Sequence, residues 1–394
     1  MDMENDNEKQ GLWALAAREV GRMTSRPLYL LCMLFAPLFC FVFFLSLMSE
    51  GQPADLPVGV VDMDNSAVSR SILRNLDSFQ QVGLCEQYAD FGEARQALQK
   101  GEIYGFFFIP KDFSKDASSQ KQPKISVYTN SSYLIPSSLI YRDMKTMAEL
   151  ASGAVGRQIL LAKGNTMDQA MGFLQPIVVE MSPIGNPTLN YSIYLNNTML
   201  PAVLGLMVLL VTIFSIHTEL KDGTGKEWMR MADDNVFLAI SGKLLPQTVI
   251  FMFMGAVYMV LLYLVCGFPL NSGVFPMALA LVLYILATQG FGVFLAAALP
   301  SLRWAMSIGT LWGVLSIPIS GFSFPVMGMP APLQALTNLF PLRHYFLIYV
   351  DQALNGIPMS YSALSYAALL ALMLLPLVNI RQFRRISYEY VYLP

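Results

Sequence analysis

Residues 28–48 read LYLLCMLFAPLFCFVFFLSLM, an apolar run of about 21 residues without a charged side chain. A helix of roughly 20 residues is long enough to cross a hydrocarbon core that is roughly 30 Å thick. The run is longer than the apolar part of a signal peptide, which has about 7–15 residues. It is also followed by Ser49, Glu50 and Gly51 rather than by a cleavage site of small residues. The sequence therefore predicts an uncleaved first membrane span.

Five more apolar runs of similar length follow the first. They cover residues 196–216, 245–266, 274–299, 304–324 and 361–378. The composition agrees with a membrane protein, because 55% of the residues are hydrophobic and 13% are charged. We predict an α-helical integral membrane protein with six transmembrane helices. No basic stripe marks a nucleic-acid surface, so we expect no nucleic acid as a partner.

One large polar segment, residues 49–195, is inserted between the first and the second span. Apolar strands are predicted at PVGVVD (57–62), IYGFFFIP (103–110) and KISVYTN (124–130). Helices are predicted at 66–76, after an Asx/Ser start at 64–66, and at 91–101 and 137–163. Strands that alternate with helices predict a small α/β or α+β domain.

The distribution of Lys and Arg predicts the orientation of the chain. On one side of the membrane the short connections contain many basic residues, whereas those on the other side contain only Arg343. Because basic residues in short loops stay in the cytoplasm, we expect both termini and the loop 217–244 to be cytoplasmic. The predicted division is then an N-terminal amphipathic helix region (1–27), span one (28–48), an extracytoplasmic domain (49–195), spans two to six (196–380) and a cytoplasmic tail (381–394).

Residues 11–24 have the apolar spacing of an amphipathic helix, with Trp13 at its apolar edge. Such a helix lies along the membrane surface or packs against other protein, and the sequence favours neither arrangement.

The chain lacks the groups that an enzyme needs. Its two histidines, His217 and His344, fall on opposite sides of the membrane in the predicted topology, and no HExxH or GxSxG motif is present. The GTGK sequence at 223–226 is not a phosphate-binding loop, because Leu220 and Glu227 replace the required Gly and Ser or Thr. We therefore expect no catalytic residue, metal or cofactor on this chain. If ATP drives its function, a separate protein must bind and hydrolyse the ATP.

Two segments resemble a known family. The first, within 320–356, contains Ser320, Gly321, Phe322, Phe324, Pro325, Met329, Pro330, Pro341 and Tyr345. The second contains Glu219, Gly223, Thr224 and the run Gly242-Lys243-Leu244-Leu245-Pro246. Both resemble the permease subunits of ATP-binding cassette (ABC) exporters of the ABC-2 type, in particular multidrug-efflux permeases with a large extracytoplasmic domain after span one. The second segment departs from the family pattern at Lys221, where an acidic residue is expected.

The resemblance implies site residues. An ABC ATPase subunit is expected to couple through Trp13, Glu219, Gly223, Thr224 and Lys243. A re-entrant region at 320–356 is expected to act in gating through Ser320, Gly321, Phe324, Pro325, Pro330, Pro341 and Tyr345. The alternative for this region is a plain loop that dips at the membrane interface.

The resemblance also implies a function. The chain is expected to be the permease subunit of an ATP-driven exporter in a bacterial inner membrane, moving an apolar or amphiphilic substrate such as a drug or a lipid-like molecule. Expected partners are the ATPase, an identical or different second permease, a periplasmic adaptor and membrane lipid. A function of another class stays open: a non-transporting anchor or receptor whose outer domain binds an envelope component.

Overall fold

The computed structural model describes residues 11–119, 121–180, 182–299 and 301–389 and divides into two compact units. The membrane unit comprises Met1–Ser49 and Pro183–Pro394, and the polar unit comprises Glu50–Ser182. Residues 183–195 thus belong to the membrane unit rather than to the predicted domain at 49–195. Residues 1–10 and 390–394, at the ends of the predicted N-terminal region and tail, lie outside the described residues.

Sixteen helices in the described residues are used below. In chain order they are α1 (Leu12–Ser25), α2 (Pro27–Leu47), α3 (Ala67–Leu76), α4 (Phe91–Lys100), α5 (Phe113–Ser118), α6 (Leu134–Ala162), α7 (Met167–Leu174), α8 (Tyr191–Lys221), α9 (Gly225–Met231), α10 (Val236–Val265), α11 (Val274–Ala298), α12 (Leu302–Ile319), α13 (Ala331–Thr337), α14 (Pro341–Tyr349), α15 (Ala363–Met373) and α16 (Ile380–Glu389).

Six helical stretches in the described residues are long and apolar enough to cross a membrane. They are α2, α8, α10, α11, α12 and the stretch Met359–Glu389, which contains α15 and α16. The predicted fold class, with six membrane helices, is therefore confirmed.

Two spans extend into the segment 217–244 that the sequence analysis treats as a loop. Helix α8 continues to Lys221, and α10 begins at Val236, because the Asn235 side chain accepts hydrogen bonds from Phe237 N (3.0 Å) and Leu238 N (3.3 Å). The short helix α9 lies between them. The segment is thus largely helical rather than a loop.

Helices α8 and α11 form the centre of the membrane unit, since most of their side chains are buried. Glycines let their neighbours approach closely. A Cβ atom at Gly313 of α12 would lie 2.5 Å from Leu206 Cδ1 of α8, and one at Gly290 of α11 would lie 2.6 Å from the backbone oxygen of Met373. Small residues at such contacts are typical of packed membrane helices.

Short pieces connect α12 to α15. Helix α12 ends at Ile319, and Gly321 follows with a φ of 101° that favours glycine. Helix α14 has Pro341 in its first turn and packs against α8, α11, α12 and α15. A short buried helix of this kind fits the predicted re-entrant region, whose depth in a membrane stays a prediction.

The polar unit is built on one mixed sheet. Its strands are β1 (Leu56–Asp62), β2 (Val82–Gln87), β3 (Gly105–Ile109) and β4 (Ser126–Thr129), in the order β2-β1-β3-β4. Strand β1 pairs in parallel with β2 and β3, and β3 pairs antiparallel with β4. Apolar residues of α3 and α6 bury one face, and those of α4 bury the other. The predicted α/β domain is confirmed.

Strand β2 of this unit is not among the predicted strands. Only its first residue, Val82, is buried, and its last three residues are exposed. Because β2 is an edge strand, it lacks the run of apolar residues that made β1 and β3 visible.

Candidate functional site

The ends of α8 and α10 meet α1 at a group of buried charges. Lys243 Nζ of α10 lies 2.6 Å from Glu19 Oε2 of α1 and 2.8 Å from Glu219 Oε1 of α8. None of the three side chains is more than 2% exposed. One ammonium group thus binds a carboxylate from each of two other helices.

Two arginines of α1 also bind Glu219. Arg18 is bidentate, with Nη1 donating to Oε1 at 2.8 Å and Nη2 donating to Oε2 at 3.1 Å. Arg22 Nη1 lies 2.5 Å from Oε1, and Arg22 Nη2 donates to Thr224 Oγ1 at 3.0 Å. The Thr224 hydroxyl in turn donates to Glu219 Oε2. Both oxygens of Glu219 are therefore occupied within the chain.

A more exposed ring of charges surrounds these residues. Arg26 Nη2 donates to Asp222 Oδ2 at 2.7 Å, and Arg18 Nε lies 3.4 Å from Glu227 Oε1. The charge cluster then comprises four basic and four acidic residues: Arg18, Arg22, Arg26, Lys243, Glu19, Glu219, Asp222 and Glu227. Because an unpaired buried charge is costly, its core stays stable only while α1, α8 and α10 keep their relative positions.

Close packing supports the charge cluster. A Cβ atom at Gly242 would lie 2.6 Å from Leu15 Cβ, so α1 rests directly on α10. The Gln247 amide donates to Glu19 Oε1 at 3.0 Å and completes the binding of that carboxylate.

Trp228 packs α9 against α10 and α16. Its Nε1 donates to the backbone oxygen of Ala239 at 3.2 Å, and its ring packs edge-on against Phe383 of α16. Lys243 Nζ lies 5.3 Å from the centre of the same ring, within the range of a cation–π interaction. We call α1, α9 and the adjoining ends of α8 and α10 the helical base.

The outward face of the helical base contains some of the predicted coupling residues. Trp13 is 78% exposed, Gly223 is exposed with a φ of 70°, and Thr224 is half-buried. Lys226 and Arg230 of α9 are exposed beside them. Glu227 of the same helix is exposed as well, so this face combines an aromatic ring with charges of both signs.

Glu219 and Lys243, in contrast, have no exposed surface that could contact another subunit. Their coupling role stays a prediction, and it has to act through the positions of the helices. Their partners Arg18, Glu19 and Arg22 are not among the predicted coupling residues. The sequence offers one signal for them. Helix α1 contains three charged residues among apolar ones, and the apolar runs of α8 and α10 have charged residues near their ends.

The predicted gating residues fall into two groups. Ser320, Pro341 and Tyr345 are buried. The Ser320 backbone oxygen accepts a bond from Arg343 Nη1 at 3.4 Å, and the Tyr345 hydroxyl donates to the Tyr258 hydroxyl at 3.4 Å. The other group lies in the turn after α12, where Gly321 is half-buried and Phe324, Pro325 and Pro330 are exposed. The seven residues thus differ in burial, and their role in gating stays a prediction.

Comparison with known proteins agrees with this architecture. Two similar proteins, both named "Probable multidrug ABC transporter permease YbhR", come from Escherichia coli strain K12 and from Escherichia coli O157:H7. Each is 23% identical to this chain over 160 residues, which is 41% of this chain and 43% of the relative. The matched part therefore spans less than half of these relatives.

A family match covers much more of the sequence. The family described as "ABC-2 family transporter protein" matches residues 27–378, which include all but the end of the last of the six membrane stretches. The chain is thus a multi-pass membrane protein that belongs to the ABC-2 family of transporters, as a permease rather than an enzyme.

Proposed function

We propose that this chain is the permease subunit of an ATP-driven exporter and that a separate ABC ATPase docks on the outward face of the helical base. The charge cluster carries this proposal. Lys243 of α10 joins Glu19 of α1 to Glu219 of α8. A force that displaces α1 is therefore passed to both spans, α8 and α10, at once. ATP is then bound and hydrolysed by the partner, without a cofactor on this chain.

Helix α8 would transmit this displacement from the charge cluster to the middle of the membrane unit. It contacts α12 through glycines, since a Cβ atom at Gly309 would lie 2.7 Å from Ile213 Cδ1. Such close packing transmits a shift of α8 to α12 with little loss. The chain after α12 leads to Ser320 and to α14 with Tyr345, which we propose as the gating region.

The proposed substrate is apolar or amphiphilic, either a drug or a lipid-like molecule. The description of the E. coli relatives as probable multidrug permeases supports this class. The distribution of Lys and Arg supports an orientation with both termini in the cytoplasm. The proposed direction is export out of the cytoplasm across a bacterial inner membrane. A second permease, identical or different, would complete the path, and a periplasmic adaptor would receive the substrate.

The docking surface can be tested without disturbing the charge cluster. The variant Lys226→Glu/Arg230→Glu reverses two exposed charges of α9. The full-length chain is purified from its native membranes, and the ATPase that accompanies it is identified and quantified by mass spectrometry. We expect recovery of the ATPase to fall at least about tenfold, because like charges across an interface are strongly unfavourable.

The matched control is Arg157→Glu/Lys163→Glu, which reverses two exposed charges of the polar unit. It should leave recovery of the ATPase unchanged. Equal recovery with the α9 variant and the wild type would refute the docking surface. If no ATPase accompanies the wild type and no ATP-dependent efflux is detected, the proposal of an ATP-driven exporter is refuted, and the alternative of a non-transporting anchor is favoured.

A further inference from the structure

An open cleft of about 510 Å³ runs along α16. Its lining residues are Asp234, Arg381, Arg384, Arg385, Tyr388 and Glu389. The opposite face of the helix is buried through Phe383 and Ser387. A Cβ atom at Gly225 of α9 would lie 2.6 Å from the Ser387 backbone oxygen, so the two helices are in direct contact. This packing fixes the side of α16 on which the arginines lie.

Two of the three arginines are available to a ligand. Arg385 Nε lies 2.9 Å from Glu389 Oε2, and the Tyr388 hydroxyl donates to the Asp234 carboxylate. Arg381 and Arg384 are exposed and form no ion pair or side-chain hydrogen bond within the part of the chain that the structure describes. They lie three residues apart and therefore on the same side of the helix. Two arginines on the same side of a helix suit a phosphate group, because a guanidinium group binds phosphate oxygens with paired N–H donors.

Exposed apolar residues adjoin this basic pair. Leu374 is 51% exposed, Leu377 is 45% exposed and Val378 is 77% exposed, all within the same membrane-length helical stretch. Val378 precedes Arg381 by three residues, so the apolar and basic groups follow each other along one side. A matching ligand has an anionic phosphate directly attached to a large apolar part.

We propose that Arg381 and Arg384 bind the phosphate of an anionic phospholipid, whose acyl chains lie along Leu374, Leu377 and Val378. Basic pockets at the ends of membrane helices are suited to such headgroups. A phospholipid uses both features at once, because its phosphate can bind the arginines while its acyl chains contact the apolar residues, whereas a soluble phosphate compound uses the arginines alone. This site lies on α16 and does not depend on the docking of an ATPase.

The proposal is tested on the purified full-length chain without any ATPase. Binding of phosphatidylglycerol and of phosphatidylcholine with the same acyl chains is compared by native mass spectrometry, for the wild type and for Arg381→Gln/Arg384→Gln. The control Arg95→Gln/Arg157→Gln removes the same charge from exposed positions of the polar unit. We expect the wild type to prefer phosphatidylglycerol and the cleft variant to bind it about thirtyfold more weakly, since each of the two arginines contributes about 1 kcal/mol at a membrane surface. The control should bind like the wild type.

Three outcomes would overturn the proposal. The wild type could bind both lipids equally, or the cleft variant could keep the affinity of the wild type. The third outcome is that sn-glycerol 3-phosphate binds the wild type as tightly as phosphatidylglycerol and loses this affinity in the cleft variant, since this would identify a site for soluble phosphate compounds.

Discussion

Among the described residues, each unit of the protein buries two carboxylates. One from each unit, Glu219 and Asp62, are satisfied in opposite ways. Glu219 in the membrane unit binds Arg18, which is 201 residues away in the sequence, and Lys243, which is 24 residues away. Asp62 in the polar unit accepts hydrogen bonds from the backbone of Asp64 and Asn65 at 3.0 Å and from Ser69 Oγ at 2.7 Å. The partners of Asp62 all lie within seven residues.

The difference determines what each carboxylate holds together. The bonds of Asp62 join the end of β1 to the start of α3, and they form whenever this short segment takes up its turn. Those of Glu219 form only when α1, α8 and α10 have assembled. Asp62 therefore stabilises a local turn, whereas Glu219 makes the stability of three helices interdependent, as the proposed transmission of force requires.

The largest expected effect comes from removing the cation that Glu19 and Glu219 share. In Lys243→Met, Glu219 keeps Arg18 and Arg22, but Glu19 retains only the Gln247 amide. An uncompensated buried charge of this kind costs about 3–5 kcal/mol. We expect a loss of that size in the free energy of unfolding, measured by denaturant titration of the full chain in detergent micelles.

The cause of this loss can be isolated with two further variants. Lys226→Met removes an exposed lysine from neighbouring α9 and should change stability by less than about 0.5 kcal/mol. Glu19→Gln combined with Lys243→Met removes both charges, and most of the stability should return. If the double variant is as unstable as Lys243→Met, the loss reflects packing rather than the unpaired charge.

A smaller effect is expected from Asp62→Ala. The substitution removes three hydrogen bonds, but the backbone groups of Asp64 and Asn65 lie at a partly exposed turn and can bind water instead. We expect a loss of about 1–2 kcal/mol, accompanied by faster amide hydrogen exchange in the first turn of α3. Exchange in α8 and α10 should stay unchanged.

An exposed ion pair provides the control for this second prediction. Asp116→Ala removes the partner of Lys121, and the cost should be below about 1 kcal/mol. A loss from Asp62→Ala as large as that from Lys243→Met would contradict the distinction between local and long-range satisfaction.

The same distinction explains what the sequence could predict. The Asx/Ser start at 64–66 marks the beginning of α3 because its capping partners are a few residues away, and the six spans follow from local runs of apolar residues. The contacts of Lys243 with Glu19 and Glu219 depend on which helices lie side by side. No local pattern encodes that arrangement, so the sequence does not reveal Arg18, Arg22 and Lys243 as the partners of Glu219.

Asp143 of the polar unit is a buried carboxylate whose hydrogen bonding is incomplete, in contrast to Asp62 and Glu219. Its substitution has the smallest expected effect. Its side chain is 6% exposed, its Oδ1 accepts a bond from Arg142 Nε at 3.2 Å, and its Oδ2 has no hydrogen-bond partner among the described residues. This carboxylate is thus satisfied by one neighbour in sequence, and only in part. Burial raises the pKa of Asp143, and Arg142 offsets the rise without cancelling it.

The sign of the pH dependence follows from the raised pKa. The folded chain holds the Asp143 proton to a higher pH than the unfolded chain, so the free energy of unfolding falls as the pH rises from the usual carboxyl range through the raised pKa. Asp143→Asn should remove this dependence of the free energy of unfolding on pH, because the amide does not titrate. It should also increase stability near neutral pH by no more than about 1 kcal/mol, since a partly unpaired buried carboxylate is replaced by an uncharged group. Hydrogen exchange in α6, measured across that pH range for both proteins, checks the result. If the exchange rates of wild type and variant respond to pH in the same way, Asp143 is satisfied in the folded chain as fully as Asp62.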